Sequence, residues 1–305
     1  MLLSICPNPS IDTYAWMSDF QKGGVNRITR LQEFPGGKAT HVALALAQLG
    51  AEAELMGAWA GSPGDWIRQA CESYGVACSG PELSGSNRKC FTFRSDDPAF
   101  DNSELLEPGP EMRAEHWEAF KQSFRSRLAA AELICMSGSW PKNAPQDAYC
   151  QLLEIATSEN KKVILDCSGT QLEEAMKLGC FGLHLNESEA EKFCGSNRLE
   201  DLLHKLNGKV ELVALTKGKE GLELFYKGST IHSKVTIDKV VSTVGSGDCL
   251  TAGIAFAVHK DLSLSEIAAY GVACGAANCL NEDLGMLRKS DVDSLLPRVD
   301  LKPFY

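Results

Sequence analysis

The sequence lacks an apolar run long enough to cross a membrane, because none reaches the roughly 18 to 20 residues that a spanning helix needs. It also lacks an excess of positive charge: 30 lysines and arginines face 40 aspartates and glutamates, a net charge of −10 over 305 residues. We therefore expect no membrane partner and no nucleic-acid partner. The N-terminus has no basic segment before its short apolar stretch, which predicts a strand and not a signal peptide.

Three familiar motifs are missing as well. No Gly-x-x-x-x-Gly-Lys-Ser/Thr occurs, which excludes a P-loop enzyme, and no Gly-x-Gly-x-x-Gly follows a strand, which leaves a Rossmann dinucleotide site unsupported. No Cys-x-x-Cys occurs, and the six histidines are scattered singly, which argues against a zinc site. Any nucleotide must therefore be held in another way.

Cysteine, in contrast, is plentiful, with twelve residues along the chain. Most of them lie in apolar strings such as Ile134-Cys135-Met136, where cysteine behaves as a small hydrophobic residue. Such thiols are chemically safe only in a reducing compartment. We therefore expect buried free thiols and a cytoplasmic protein.

Short apolar runs alternate with helical patterns along most of the chain, which is typical of an α/β fold with a mainly parallel sheet. The predicted strands are Leu2 to Ile5, Ala53 to Met56, Leu133 to Met136, Val163 to Leu165, Gly182 to Leu185 and Leu212 to Leu215. The predicted helices are Lys38 to Leu49, Met112 to Ala131, Gln146 to Glu159 and Leu199 to Leu206. Residues 222–232 predict a hairpin that closes the edge of the sheet.

Two segments, residues 10–35 and 83–107, do not follow this alternation. Both are rich in Gly, Ser, Asn and Asp and contain short alternating stretches. They could form a small antiparallel flap beside the main sheet or remain long surface loops, and periodicity favours neither.

The strongest local signal is the glycine-rich turn at residues 242–248, which opens an apolar helix. Such a turn directs the backbone N–H groups of Gly245, Ser246 and Gly247 at one point, where the helix dipole also favours an anion. The carboxylate of Asp248 would lie beside this anion site, ready to accept a proton from a hydroxyl. That pair of features suits phosphoryl transfer to an alcohol. Alternatively, Asp248 only caps the helix and the glycines only make the turn.

The sequence Thr-Val-Gly-Ser-Gly-Asp at residues 243–248 resembles the C-terminal signature of the ribokinase-like, or PfkB, carbohydrate kinases. Its Thr-Val-Gly form is similar to the branch that phosphorylates sugar phosphates such as fructose 1-phosphate and tagatose 6-phosphate. Four more segments resemble family motifs in order and spacing: residues 6–12, 34–43, 185–189 and 216–221. The resemblance thus covers essentially the whole chain.

This resemblance implies a three-layer αβα sandwich with a mainly parallel sheet and a small β lid. It implies a single kinase domain over residues 1–305, with lid segments at about residues 10–35 and 83–107. It also implies the use of ATP and Mg²⁺, with a sugar or sugar phosphate as the acceptor. A homodimer formed through the β flap would be similar to the family.

The resemblance also assigns roles to single residues. The catalytic set would be Asp248 as the base, with Gly245, Ser246 and Gly247 as the anion site. Nucleotide binding would fall to Thr216, Gly218, Gly221 and Asn278. Mg²⁺ and its water shell would be organised by Asn186 and Glu189, although these two residues also have the spacing of a helix capping box. The acceptor would be bound by Asp12, Gly36, Gly37, Lys38, His41, Arg88 and Ser139.

The chain departs from the usual phosphosugar kinase pattern at the acceptor side. Close relatives read Gly-Gly-Lys-Gly-x-Asn-Val-Ala, whereas Ala39 and His41 replace the third glycine and the asparagine here. His184 replaces a lysine that often stands two residues before Asn186. The acceptor could therefore be an unphosphorylated sugar or a nucleoside, and a non-catalytic relative that binds sugar or nucleotide is a further alternative.

Overall fold

Fourteen strands and ten helices follow one another along residues 1–303 of the computed structural model, the part of the chain that the structure describes. The strands are β1 (Leu2–Cys6), β2 (Ser10–Trp16), β3 (Arg30–Gly36), β4 (Ala53–Gly57), β5 (Ala77–Ser79), β6 (Arg88–Arg94), β7 (Glu104–Leu106), β8 (Leu133–Ser137), β9 (Lys162–Asp166), β10 (Cys180–Asn186), β11 (Val210–Thr216), β12 (Leu222–Tyr226), β13 (Ser229–Lys234) and β14 (Asp300–Pro303). The helices are α1 (Lys38–Gln48), α2 (Gly61–Ser73), α3 (Ala114–Leu128), α4 (Ala148–Ser158), α5 (Thr170–Leu178), α6 (Glu187–Cys194), α7 (Leu199–Leu206), α8 (Ser246–His259), α9 (Leu264–Cys279) and α10 (Lys289–Leu295).

Ten of the strands form one sheet in the order β14-β13-β12-β11-β10-β9-β8-β1-β4-β5. The seven strands from β11 to β5 are parallel, and β12 to β14 are antiparallel. The expected α/β class with a mainly parallel sheet is therefore confirmed. The predicted hairpin is present as β12 and β13, but it does not close the sheet, because β14 pairs outside β13. A four-residue strand with three exposed positions carries too little apolar pattern to be predicted.

Both faces of the large sheet are covered by helices, which explains why its strands are continuously apolar. In β8, Leu133 and Cys135 point into the core beneath α1, α8 and α9. Their neighbours Ile134 and Met136 point into the opposite core, beneath α3, α4 and α7. A single-sided sheet would have needed polar residues at every second position.

A second, four-stranded sheet in the order β3-β2-β6-β7 is built from the two segments that do not follow the βα alternation. Strand β2 pairs with β3 antiparallel and with β6 parallel. One side of this sheet packs Tyr14 and Phe34 against Leu284, which comes from the loop after α9. The sheet thus lies over the carboxyl ends of the large sheet's strands, and we refer to it as the lid.

All twelve cysteines are free, six of them buried and six half-buried. Burial raises the pKa of thiols such as Cys135, to about 12, so these side chains act as core residues. Within residues 1–303, the structure contains no helix with the length and apolar character that a bilayer span requires.

Candidate active site

The candidate residues meet where the parallel strands of the large sheet end and helices α1 and α8 begin. Asp166 ends β9, Asn186 ends β10 and Thr216 ends β11. The carboxyl ends of parallel strands are the usual position of a ligand site in an open α/β sheet. The lid contributes Asp12 from β2 and Arg88 from β6 to the same region.

The glycine-rich turn forms the N-terminus of α8. Gly245 adopts φ 82°, and a Cβ there would lie 2.4 Å from Cα of Gly285, so only glycine fits. The N–H of Ser246 donates to the carbonyl of Thr243 at 3.2 Å, whereas the N–H groups of Gly247 and Asp248 belong to the first turn, which has no carbonyl four residues earlier in the helix. The backbone N–H groups of this turn that remain available to an anion are therefore mainly those of Gly247 and Asp248.

Asp248 lies in this first turn and is buried. Burial raises the pKa of its carboxyl group, while the hydrogen bond and charge of His41 lower it; the nearby charge of Asp166 raises this pKa and the charge of Lys38 lowers it. The net result is a raised pKa, which is a suitable property for a group that must accept a proton.

His41 in α1 bridges two carboxylates. Its Nδ1 lies 2.8 Å from Oδ2 of Asp248, and its Nε2 lies 3.3 Å from Oδ2 of Asp12. Burial alone would lower the pKa of His41, but hydrogen bonds and charges from both carboxylates outweigh it and raise the pKa to about 10. The ring is therefore an imidazolium at neutral pH.

Asp12 is fixed by its surroundings on the lid. Ser10 donates from Oγ to Oδ1 of Asp12 at 2.6 Å. Burial would raise the pKa of Asp12, but His41, Ser10 and the positive charge of Arg88 lower it overall. A Cβ on Gly36 would lie 2.0 Å from Cγ of Asp12, so this glycine makes the space that the carboxylate occupies.

A second cluster surrounds Asp166. Its Oδ1 accepts from Nζ of Lys38 at 2.9 Å, and Nζ also lies 3.6 Å from Oε1 of Glu189. Burial acts against both charges, but their mutual attraction raises the pKa of Lys38 and holds the pKa of Asp166 well below its usual range. We expected Lys38 to bind a phosphate of the acceptor. The structure places its Nζ beside Glu189, one of the two residues expected to organise Mg²⁺.

His184 connects this cluster to strand β11. Its Nδ1 lies 3.0 Å from Oδ2 of Asp166 and 3.0 Å from Oγ1 of Thr251, and its Nε2 lies 3.2 Å from Oγ1 of Thr216. A Cβ on Gly247 would lie 3.4 Å from Cε1 of His184, so the imidazole packs directly against the glycine-rich turn.

Asn186 and Glu189 form a capping box at the start of α6. Oδ1 of Asn186 accepts from the N–H of Glu189, and Oε2 of Glu189 accepts from the N–H of Asn186, both at 3.0 Å. The capping alternative is thus present, and it leaves Oε1 of Glu189 facing Lys38. Within residues 1–303 no group of three or more His, Cys, Asp or Glu residues could cage a metal. Carboxylate and amide oxygens such as those of Glu189 and Asn186 suit a hard cation such as Mg²⁺, which keeps several of its waters.

The predicted nucleotide residues lie in two places. Thr216 ends β11, and Gly218 and Gly221 follow it with φ 52° and φ 98° along one edge of the cleft. A Cβ on Gly221 would lie 2.2 Å from the carbonyl oxygen of Ser233. Asn278 is fully buried in α9 and donates to the carbonyl of Met286 at 2.9 Å, so it holds the loop beside the cleft.

The remaining acceptor candidates lie around α1 and the lid. Gly37 precedes α1 with φ 100°, and Ser139 is exposed at the rim after β8. Arg88 is half-buried, and its Nε donates to the carbonyl of Asn8 at 3.2 Å. Within the described chain its guanidinium forms no ion pair, so its two terminal nitrogens can meet an anion.

Comparison with known proteins identifies the family of the chain. Residues 8–287 match the model of the pfkB family carbohydrate kinases. The chain belongs to the pfkB family of carbohydrate kinases. Its expected class, a phosphotransferase that acts on a sugar-type alcohol, is confirmed with it.

Relatives of this kinase match it over nearly their full length. The 1-phosphofructokinase of Bacillus subtilis (strain 168) is 28% identical over 305 residues, which cover 98% of both chains. The crystal structure of phosphofructokinase-2 from Escherichia coli in complex with potassium matches 97% of this chain and 98% of that chain, with a TM-score of 0.88 and 21% identity. Ribokinase of Arabidopsis thaliana, complexed with ribose and ATP, matches 97% and 98% with a TM-score of 0.76 and 20% identity.

Sequence reasoning did not select three of this kinase's clustered residues: Asp166, Thr251 and Gly285. Asp166 had a usable signal, because it directly follows the predicted strand Val163 to Leu165 of a parallel sheet. Thr251 and Gly285 had none, since their roles follow from contacts with His184 and His41 across the fold.

Proposed function

We propose that the chain transfers the γ-phosphoryl group of ATP to a hydroxyl of a ketohexose phosphate of the fructose 1-phosphate or tagatose 6-phosphate type. The observation that carries this proposal is the convergence of Asp12 and Asp248 on His41 at the N-terminus of α8. A hydroxyl held by Asp12 would lie beside a carboxylate base and beside a helix end that attracts anions.

Asp248 acts as the general base in this proposal. It takes the proton of the acceptor hydroxyl while the hydroxyl oxygen attacks the γ-phosphorus and the bond to the β-phosphate oxygen breaks. Its buried position and raised pKa suit proton acceptance near neutral pH. The N–H groups of Gly247 and Asp248 in the glycine-rich turn meet the negative charge that spreads over the transferred group.

The nucleotide would lie along the edge formed by Thr216, Gly218 and Gly221, with Lys38 directed at the phosphates. Lys38 is about two-fifths exposed while it keeps its contact with Asp166, so it can present its charge to a phosphate oxygen. Mg²⁺ held through water by Glu189 and Asn186 would neutralise further phosphate charge.

Arg88 supports a phosphorylated acceptor. It lies on the lid, beside Ser10 in the register of β2 and β6, and close enough to lower the pKa of Asp12. A guanidinium without a carboxylate partner matches the geometry of a phosphate. The name of the Bacillus relative, 1-phosphofructokinase, agrees with such an acceptor.

An ATP-consumption screen over sugars, nucleosides and sugar phosphates tests the substrate class. We expect turnover with a ketohexose phosphate, and Arg88→Ala should raise the KM for that substrate by about 10-fold or more, since hydrogen bonds to charged groups contribute about 1.5–3 kcal/mol. The neighbouring Lys89→Ala, which removes an ion pair with Glu33 on the lid, is the matched control and should leave KM unchanged. Preference for a free sugar with no effect of Arg88→Ala would contradict the phosphosugar assignment.

The lid also supports a homodimer. Its sheet carries exposed apolar side chains at Leu31, Leu105 and Leu106, each about half exposed or more. A second copy that covers them would bury apolar surface. Light scattering should give a dimer for the wild type and a monomer for Leu105→Glu, and a monomeric wild type would contradict this.

A further inference from the structure

The ring of His41 lies between the carboxylate that would bind the acceptor and the carboxylate that would take its proton. Asp12 and Asp248 come from the lid and from α8, 236 positions apart in the sequence, and His41 in α1 is the side chain that both of them contact. Ionised carboxylates can only accept hydrogen bonds. Nδ1 therefore carries a proton towards Asp248, while Nε2 lies at ion-pair distance from Asp12 without forming a hydrogen bond, and the charges of both carboxylates favour the protonated ring.

The position of the ring is fixed by its packing. His41 is only 3% exposed, and a Cβ on Gly285 would lie 2.1 Å from its Cγ and Cδ2. A Cβ on Gly245 would lie 3.5 Å from Nδ1. Two glycines with positive φ thus form a slot for the imidazole, and the slot aims Nδ1 at Asp248.

We propose that His41 is a positioning residue for the catalytic base: its Nδ1–H holds Oδ2 of Asp248, so that Oδ1 of the same carboxylate faces the acceptor hydroxyl. This inference rests on the proposed role of Asp248 and adds a residue to it. In the transfer step the acceptor O–H bond breaks, its proton goes to Oδ1 of Asp248, and its oxygen forms the new bond to phosphorus. The electrons of the broken phosphate bond leave with ADP, and His41 keeps its own proton throughout.

The charge of His41 is needed because the other charged groups near Asp248 have opposite effects on the pKa of its carboxyl group. Asp166 on β9 raises the pKa of Asp248, and Lys38 on α1 lowers it. On the lid, Asp12 on β2 faces the other nitrogen of the ring, and Arg88 on β6 acts on Asp12. Loss of the imidazolium would leave Asp248 buried, with the N-terminus of α8 and the charge of Lys38 to favour its ionised form.

Two substitutions separate the charge of His41 from its hydrogen bond. His41→Gln keeps a neutral donor of similar reach, and His41→Ala removes both. In the profile of kcat/KM against pH, we expect both variants to move the acidic limb upward by about one unit or more, since one unit is a tenfold change in the protonation equilibrium. At high pH the Gln variant should return to within about threefold of the wild type, whereas the Ala variant should stay at least about tenfold lower.

A merely structural role for His41 would lower activity equally at every pH. Profiles of both variants that run parallel to that of the wild type would therefore overturn the proposal. Should His41→Ala fail to fold, the Gln variant and the following measurement still decide.

An NMR titration of the histidine rings tests the contact in the absence of any reaction. The His41 signal is identified by its loss in His41→Gln, and we expect this ring to stay protonated beyond pH 9 in the wild type. In Asp248→Asn its midpoint should fall by at least one unit, and an unchanged midpoint would overturn the inference. A wild type that transfers no phosphoryl group while this shift is observed would refute the proposed function and leave the contact established.

Discussion

On the proposed acceptor side of the cleft one basic residue, His41, lies between two carboxylates. On the proposed nucleotide side one carboxylate, Asp166, lies between two basic residues, Lys38 and His184. The acceptor side therefore ends in a carboxylate oxygen that can take a proton. The nucleotide side ends in N–H and O–H donors that can meet phosphate oxygens. The opposite ratio of acids to bases indicates which substrate each side would hold.

The largest effect on activity is expected from replacing Asp248, the proposed base on the acceptor side. Asp248→Asn keeps the size of the side chain but removes the base, so we expect kcat to fall by at least about 10². Asp65→Asn, which removes an exposed partner of Arg68 on α2, serves as the control. Near-normal turnover of Asp248→Asn would show that the two sides do not differ as described.

A smaller effect is expected from Gly36→Ala, which disturbs the acceptor side alone. The new Cβ would lie 2.0 Å from Cγ of Asp12 and would displace that carboxylate. Overpacking of this kind costs about 1–3 kcal/mol, so KM for the acceptor should rise roughly 10-fold while KM for ATP stays constant. Gly24→Ala in the lid loop, where the nearest side chain is that of exposed Gln21, is the control. A matching rise in the KM for ATP would argue against separate sides.

Part of this comparison could be predicted from sequence. The turn around Asp248 was predictable because its glycines, its acid and the following helix are contiguous, and so the chemistry is local. The bridge from His41 to Asp248 was not, because it joins residues 207 positions apart and depends on how the lid and α8 pack. The sequence predicted His41 only as a bulkier acceptor-binding residue.

Lys38 illustrates the same limit. Its position after two glycines predicted a cation near a phosphate, but its partner Asp166 ends β9 and its partner Glu189 lies in the first turn of α6, directly after β10. Only the order of strands in the sheet brings these ends to α1. The strands themselves were predictable, since burial on both faces gives continuous apolar runs.

The next effect concerns stability on the nucleotide side. Asp166→Asn removes a buried charge from its partners, and we expect a loss of about 2 kcal/mol in the free energy of unfolding, less than for a fully buried pair because Lys38 is partly exposed. Urea unfolding measures it, and the exposed Asp65→Asn should change stability by less than about 0.5 kcal/mol. Equal losses in both variants would contradict the description of this cluster.

The last effect is a pH dependence of stability on the acceptor side. His41 binds its proton more tightly in the folded protein, where its pKa is raised from 6.5 to about 10. The stability that this contributes is complete below pH 6.5 and is lost as the pH rises through 10. The difference in unfolding free energy between wild type and His41→Gln should therefore shrink over that range. A difference that stays constant from pH 6 to pH 10 would show that the ring is not charged by its two carboxylates.

Calorimetric titration of Asp12→Asn tests most directly whether the two sides bind different substrates. The variant is titrated separately with the ketohexose phosphate and with a non-hydrolysable ATP analogue. The account predicts that affinity for the sugar phosphate falls by about 10-fold or more while affinity for the nucleotide analogue stays at the wild-type value. A loss of nucleotide affinity with unchanged binding of the sugar phosphate would contradict it.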